Sequence, residues 1–166
     1  MRAAATAAAV SAVIGAVGGA AATAAPVPSL FPAGQTIAVV GQNSGCSGLI
    51  DYTLDTDPAK PGVVAVMLVS RGMNGIGPAW DANPVCPIDF DIMWDAAYFG
   101  FGSVAGNQRE AVEFNPTTRP GDSLRTEIFT GGGLHVLSIT AGYVSPAYNE
   151  LRPQISFAGG GYILVP

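Results

Sequence analysis

The eight residues Ile88-Asp89-Phe90-Asp91-Ile92-Met93-Trp94-Asp95 carry the clearest strand pattern in this chain. Side chains of a β-strand point alternately to its two faces. One face of this segment therefore carries four large apolar side chains, which we expect in a core: Ile88, Phe90, Ile92 and Trp94. The other face, which we expect to be mostly exposed to solvent, carries Asp89, Asp91, Met93 and Asp95.

Short apolar or alternating runs continue on both sides of this segment, separated by Gly, Pro, Asn and Asp, the residues typical of turns. With residues 88–95 included, they predict ten strands: Thr36–Gly41, Gly48–Leu54, Val63–Ser70, Ile88–Asp95, Tyr98–Ser103, Gln108–Phe114, Leu124–Thr130, Leu134–Ala141, Gln154–Phe157 and Tyr162–Val165. We predict an all-β fold, a single antiparallel β-sandwich of about eight to ten short strands, immunoglobulin-like or jelly-roll-like. A small barrel is the alternative.

Residues 63–69 (Val-Val-Ala-Val-Met-Leu-Val) differ from the alternating runs because they are apolar on both faces. This pattern favours a central strand. We expect the opposite sheet to cover one face, and a loop, an arm or a partner to cover the other.

Residues 1–24 have the pattern of a secretory signal. Arg2 precedes an uncharged stretch rich in Ala, Val and Gly, and Ala22-Thr23-Ala24 offers a small-x-small cleavage site. The alternative is a retained membrane tether, because the stretch has the roughly 20 residues that a span needs. We therefore divide the chain into a signal peptide (1–24), an extended Pro-rich arm (25–35) and one β-sandwich domain (36–166).

Charge excludes two classes of function. After residue 24 the chain has six Lys and Arg against twelve Asp and Glu, a net charge of −6, and it has no run of basic residues. A nucleic-acid binder would need a basic patch, and an anionic lipid surface would need a basic cluster. After residue 24 the chain has five arginines and a single lysine, Lys60, and this ratio together with the abundant Ala, Gly and Pro is typical of a GC-rich bacterial genome.

Cys46 and Cys86 are the only cysteines in the chain. Export would place them in an oxidising compartment, where we expect a disulfide between them. Both lie in Gly-, Asn- or Pro-rich surroundings, so the bond should join two loops or strand ends at one end of the sandwich. Two free buried thiols are the alternative.

Candidates for catalysis and metal binding are few. His135 is the one histidine, and we expect an ordinary strand or rim residue there because no nucleophile elbow accompanies it. Asp89 and Asp91 lie two residues apart on one strand face, which places their side chains roughly 6.5–7 Å apart. This is a separation that the two carboxyl groups of an inverting glycosidase could use. Asp51, Asp55 and Asp57 could help to hold Ca²⁺, but without the EF-hand spacing. We expect no cofactor, no metal and no catalytic residue.

The long segment 71–87 is the best candidate for a recognition surface, since connections of this length are often functional. The candidate binding patch is an aromatic anchor with polar neighbours: Arg71, Trp80, Asp81 and Asn83. We favour a second interpretation, in which Trp80 faces inward and closes the end of the sandwich.

These observations favour an exported, non-enzymatic binding or cell-envelope module. Its partner would be a protein, a glycan or an apolar ligand, with self-association as a further option, and with no nucleic acid and no membrane span in the mature chain. Two alternatives stay open: a secreted hydrolase that uses carboxylates, and a self-assembling envelope subunit.

Overall fold

The computed structural model describes residues 35–96, 108–142, 144–145 and 150–166. In chain order its elements are β1 (Gln35–Val40), β2 (Ser47–Thr56), β3 (Val63–Asn74), α1 (Pro78–Ala82), β4 (Ile88–Ala96), β5 (Gln108–Phe114), β6 (Ser123–Phe129), β7 (Gly133–Thr140), β8 (Val144–Ser145), β9 (Glu150–Leu151), β10 (Ile155–Ser156) and β11 (Gly159–Val165). The predicted signal, most of the predicted arm and the predicted strand Tyr98–Ser103 lie outside the described residues.

Two antiparallel sheets pack face to face. The first sheet has the strand order β10-β1-β2-β3-β6, and the second has the order β11-β7-β4-β5. A further two-stranded ribbon pairs β8 with β9. The predicted all-β sandwich is therefore confirmed.

The core forms where the inward faces of the two sheets meet. In β2 the inward residues Ile50, Tyr52 and Leu54 are buried, while Asp55 on the other face is exposed. The predicted inward set of β4 is also buried: Ile88, Phe90, Ile92 and Trp94. Full burial of each large apolar side chain stabilises the fold by about 1.5–3 kcal/mol, so this alternation is what holds the sheets together.

β3 is a central strand, as its sequence predicts. It pairs with β2 on one side and with β6 on the other. Its outward residues Val63, Met67 and Val69 are half-buried. A small depression of about 70 Å³ on this face is lined by Ala65 and by charged side chains of the flanking segments, which include Lys60, Arg125 and Glu127.

The prediction that the acidic face of β4 is mostly exposed is wrong for two of its carboxylates. Asp89 and Asp91 are only 5% and 2% exposed. β4 is an inner strand, and Gln154 and Arg152, which precede β10, bind to Asp89. Alternation shows which face a side chain takes, but it does not show that a segment some 60 residues away covers that face.

The chain changes sheets between β10 and β11, and Gly160 lies at the start of β11. Its N–H donates to the Tyr52 hydroxyl oxygen at 2.7 Å. Its φ of 141° lies in a region that favours glycine, and a Cβ would overlap the Leu137 carbonyl. The close approach of β11 to β7 at this residue therefore depends on the missing side chain.

The predicted disulfide is present. Cys46 and Cys86 are joined, with their Cα atoms 5.8 Å apart, and both residues are fully buried. Cys46 ends the turn between β1 and β2, and Cys86 lies just before β4, so the bond joins two connections at one end of the sandwich. Gly41 packs against the bond, since a Cβ there would overlap the Cys86 sulfur.

Replacing both cysteines (Cys46→Ala with Cys86→Ala) is expected to lower the free energy of unfolding by about 4 kcal/mol. The bond closes a loop across a sequence separation of 40 residues, and that loop gains chain entropy in the unfolded state when the bond is absent. Equilibrium unfolding in urea, followed by circular dichroism, measures the change. The wild-type protein under reducing conditions is the control and should match the double variant. A loss below about 1 kcal/mol would contradict this role of the bond.

Candidate functional site

The predicted recognition patch is not assembled around an exposed Trp80. Trp80 lies on α1, is 7% exposed and belongs to the hydrophobic core. Its ring lies against Gly75, where a Cβ would overlap it. Asp81 and Asn83 are exposed next to it, and Arg71 lies on β3. Trp80 thus occupies the inward position, and Arg71 belongs to a different surface.

Trp80→Ala is expected to lower the free energy of unfolding by about 3–5 kcal/mol, because it leaves a large cavity at the end of the core. Urea unfolding measures the change, with Trp94 remaining as a fluorescent reporter. Ile76→Ala is the matched control, since Ile76 belongs to the same segment but is 87% exposed, and it should change stability by less than about 0.5 kcal/mol. If Trp80→Ala is as stable as the control, the inward position of Trp80 is refuted and the recognition patch regains support.

Asp89 belongs to a buried polar network that joins three segments. Its carboxylate accepts a hydrogen bond from Gln42 Nε2 at 2.7 Å and lies 3.2 Å from Arg152 Nη1. The side-chain amide of Gln154 accepts from the Asp89 N–H at 2.9 Å and donates to the Asp89 carbonyl at 2.8 Å. Gln154 therefore pairs with β4 as the backbone of a neighbouring strand would.

Gln154→Met is expected to lower the free energy of unfolding by about 2–4 kcal/mol. Methionine keeps the length of the side chain, but it leaves the buried N–H and C=O of Asp89 without these partners, and each such loss costs about 1–3 kcal/mol. Thermal and urea unfolding measure the change. The matched control is Gln108→Met on the exposed edge of the second sheet, which should be near neutral. Equal effects of the two substitutions would refute the bridging role of Gln154.

His135 does not meet the acidic residues of β4. It is 5% exposed, it faces the interior, and its Nε2 lies 3.1 Å from the Gly131 carbonyl oxygen. In the register it lies opposite Ala96, seven residues along β4 from Asp89, a separation of about 23 Å. This arrangement gives no support to a catalytic pair of His135 and Asp89.

Two of the three carboxylates considered for Ca²⁺ have other partners. Asp51 binds Arg71 and Thr36, and the Asp57 carboxylate accepts the N–H of Ala59 at 2.8 Å. Within the described ranges, no group of three or more His, Cys, Asp or Glu is placed to hold a metal ion.

An apolar groove lies on the outer face of the first sheet, where β10, β1 and β2 are adjacent. Its volume is about 410 Å³, and none of the described residues that line it is charged. Ala38 lies opposite Leu49, and Val40 lies opposite Ile155, so these outward side chains form a continuous floor. Leu49, Ile155 and Phe157 are 42%, 61% and 81% exposed. Large apolar side chains that share one exposed surface indicate an interaction site more than single ones do.

Sequence reasoning missed this groove, although a signal was present. Residues 37–40 (Ile-Ala-Val-Val) are apolar on both faces, as residues 63–69 are. The same inference of a covered second face could have been drawn for β1. The contribution of Ile155 and Phe157 had no local signal, because it depends on the pairing of β10 with β1.

A polar row adjoins the groove. Thr36 pairs with Asp51 in the register, one outward position before Ala38 and Leu49. Arg71 Nε donates to Asp51 Oδ2 at 2.8 Å, and Arg71 Nη2 donates to Thr36 Oγ1 at 3.2 Å. The hydrogen bonds from Arg71 and then from Thr36 lower the pKa of Asp51. The ion pair therefore contributes above the ordinary pKa of Asp51 and is lost only as the pH falls through the lowered value.

Comparisons with protein-family models, curated proteins and solved structures found no match to this chain. Among the residues that the structure describes, none belongs to a helix long and apolar enough to cross a membrane.

Proposed function

We propose that this protein is an exported, non-enzymatic binding module that takes an apolar ligand in the groove on its first sheet. The groove itself carries the proposal. Its volume of about 410 Å³ falls within the usual range of small-molecule sites, and its floor is apolar, as such sites usually are. The exposed side chains of Leu49 and Phe157 would lose unfavourable contact with water when a ligand binds.

Two observations support the location outside the cytosol. The buried Cys46–Cys86 bond fits a protein that folds in an oxidising compartment. The sequence of residues 1–24 has the pattern of an export signal. We therefore propose that the protein is either secreted or located in the cell envelope.

The hydrolase alternative has less support. Asp89 is 5% exposed and binds Gln42 and Arg152, and it is not among the residues that line the groove. A carboxylate that acts on a substrate needs access to it. The envelope-subunit alternative keeps one argument, namely that the exposed apolar side chains of the groove could also contact a second copy of the chain.

Binding of the neutral fluorescent dye N-phenylnaphthylamine tests the proposal. The dye should gain fluorescence with the wild-type protein, and Phe157→Ser or Leu49→Gln should raise its dissociation constant about tenfold, equivalent to about 1.4 kcal/mol of lost apolar contact. Phe129→Ser is the matched control, because Phe129 is 72% exposed but does not line the groove.

Equal losses for Phe157→Ser and Phe129→Ser would refute the groove as the site, and so would the absence of any dye signal. Light scattering of the same samples identifies self-association. An assembly that dissociates on Phe157→Ser, with no dye binding in either state, would favour the envelope subunit instead.

A further inference from the structure

In the register of β1 and β2, a polar pair of residues lies next to the apolar groove. Moving along β1, the outward residues are Thr36, Ala38 and Val40, and their partners on β2 are Asp51, Leu49 and Ser47. The first pair is polar and binds Arg71, whereas the next pairs belong to the groove. A ligand that fills the groove lengthwise would therefore have one end beside Arg71.

This polar row offers hydrogen-bond donors to a ligand. A guanidinium group has five N–H donors, and the contacts to Asp51 and Thr36 use two of them. The Arg71 side chain is 56% exposed. Each oxygen of the Asp51 carboxylate accepts a hydrogen bond, one from Thr36 and the other from Arg71. The exposed guanidinium therefore keeps donors that an anionic group could use.

We propose that the ligand of the groove is a single-chain amphiphile with a carboxylate head, and that Arg71 binds this head while the apolar chain lies between Leu49 and Phe157. This inference rests on the proposed function. Arginine suits the role because its planar donors match the two oxygens of a carboxylate. Because Asp51 and Thr36 already orient the guanidinium, less side-chain freedom is lost on binding.

The dimensions indicate the length of the chain. From Asp51 to Ser47 the strand advances four residues, or about 13 Å. A medium-length saturated chain such as that of decanoate spans a comparable distance. Decanol and decylamine have the same chain with a neutral and a cationic head, so these three ligands separate the contribution of the head from that of the chain.

Isothermal titration calorimetry with each ligand, kept below its micelle concentration, tests the proposal. We expect decanoate to bind about three- to tenfold more tightly than decanol, which corresponds to a partly exposed charge-assisted contact, and we expect decylamine to bind most weakly. Leu49→Gln should weaken decanoate and decanol equally, because it acts on the chain.

Two substitutions of the same ion pair distinguish binding from structure. Arg71→Gln should remove the preference for decanoate over decanol and leave decanol binding within about twofold. Asp51→Asn also breaks the ion pair, but it keeps the arginine and removes a competing carboxylate, so decanoate should bind as tightly as before or more tightly. Unfolding in urea checks that both variants are folded.

Equal affinity of wild-type protein for decanoate and decanol would overturn the assignment of the head while leaving the groove as an apolar site. Equal weakening by Arg71→Gln and Asp51→Asn would do the same, because the ion pair would then only support the strand. If none of the three ligands binds and the neutral dye does not bind either, the proposed function itself fails.

Discussion

The Cys46–Cys86 bond fixes the turn between β1 and β2 against the segment that enters β4. Because the bond is fully buried and Gly41 packs on it, this turn has little room to move. The backbone adds a further contact, since Gln42 N–H donates to the Pro87 carbonyl at 3.0 Å. The outward faces of β1 and β2 form most of the groove floor, so the covalent bond in the core also fixes the surface on which the proposed ligand lies.

The side of the groove that Ile155 and Phe157 form depends on Gln154. Residues 155–156 pair with only two residues of β1, which is too short a contact to hold a strand by itself. Gln154 supplies what is missing, because its amide binds the backbone of β4 in the second sheet and the side chain of Gln42 in the turn. One side chain thus connects both sheets and positions Ile155 beside Val40. The apolar contact between Ile155 and Val40 therefore depends on the buried hydrogen bonds of Gln154.

Most of the fold could be predicted from sequence because it follows from alternation and turn residues. The inward set of β4 needed only the two-residue period, and the central position of β3 needed only a run that is apolar on both faces. The disulfide needed two cysteines and the pattern of an export signal. The burial of Asp89 could not be predicted, because it depends on partners from distant segments. One wall of the groove could not be predicted for the same reason: a strand at Gln154–Phe157 was predicted, but only its pairing with β1 brings Phe157 near Leu49.

The Arg71–Asp51 pair contributes little to the stability of the fold. Both side chains are substantially exposed, and an exposed ion pair contributes only about 0–1 kcal/mol to folding. The interior of the sandwich leaves no room for a ligand beside Phe90, Ile92 and Ile139, which are fully buried there. The proposed ligand would therefore use an outer face, and at the groove an apolar floor adjoins the guanidinium of Arg71, which is paired with Asp51. Because Asp51 and Thr36 hold the guanidinium in place, the head of an amphiphile would meet donors that are already oriented toward the end of its chain.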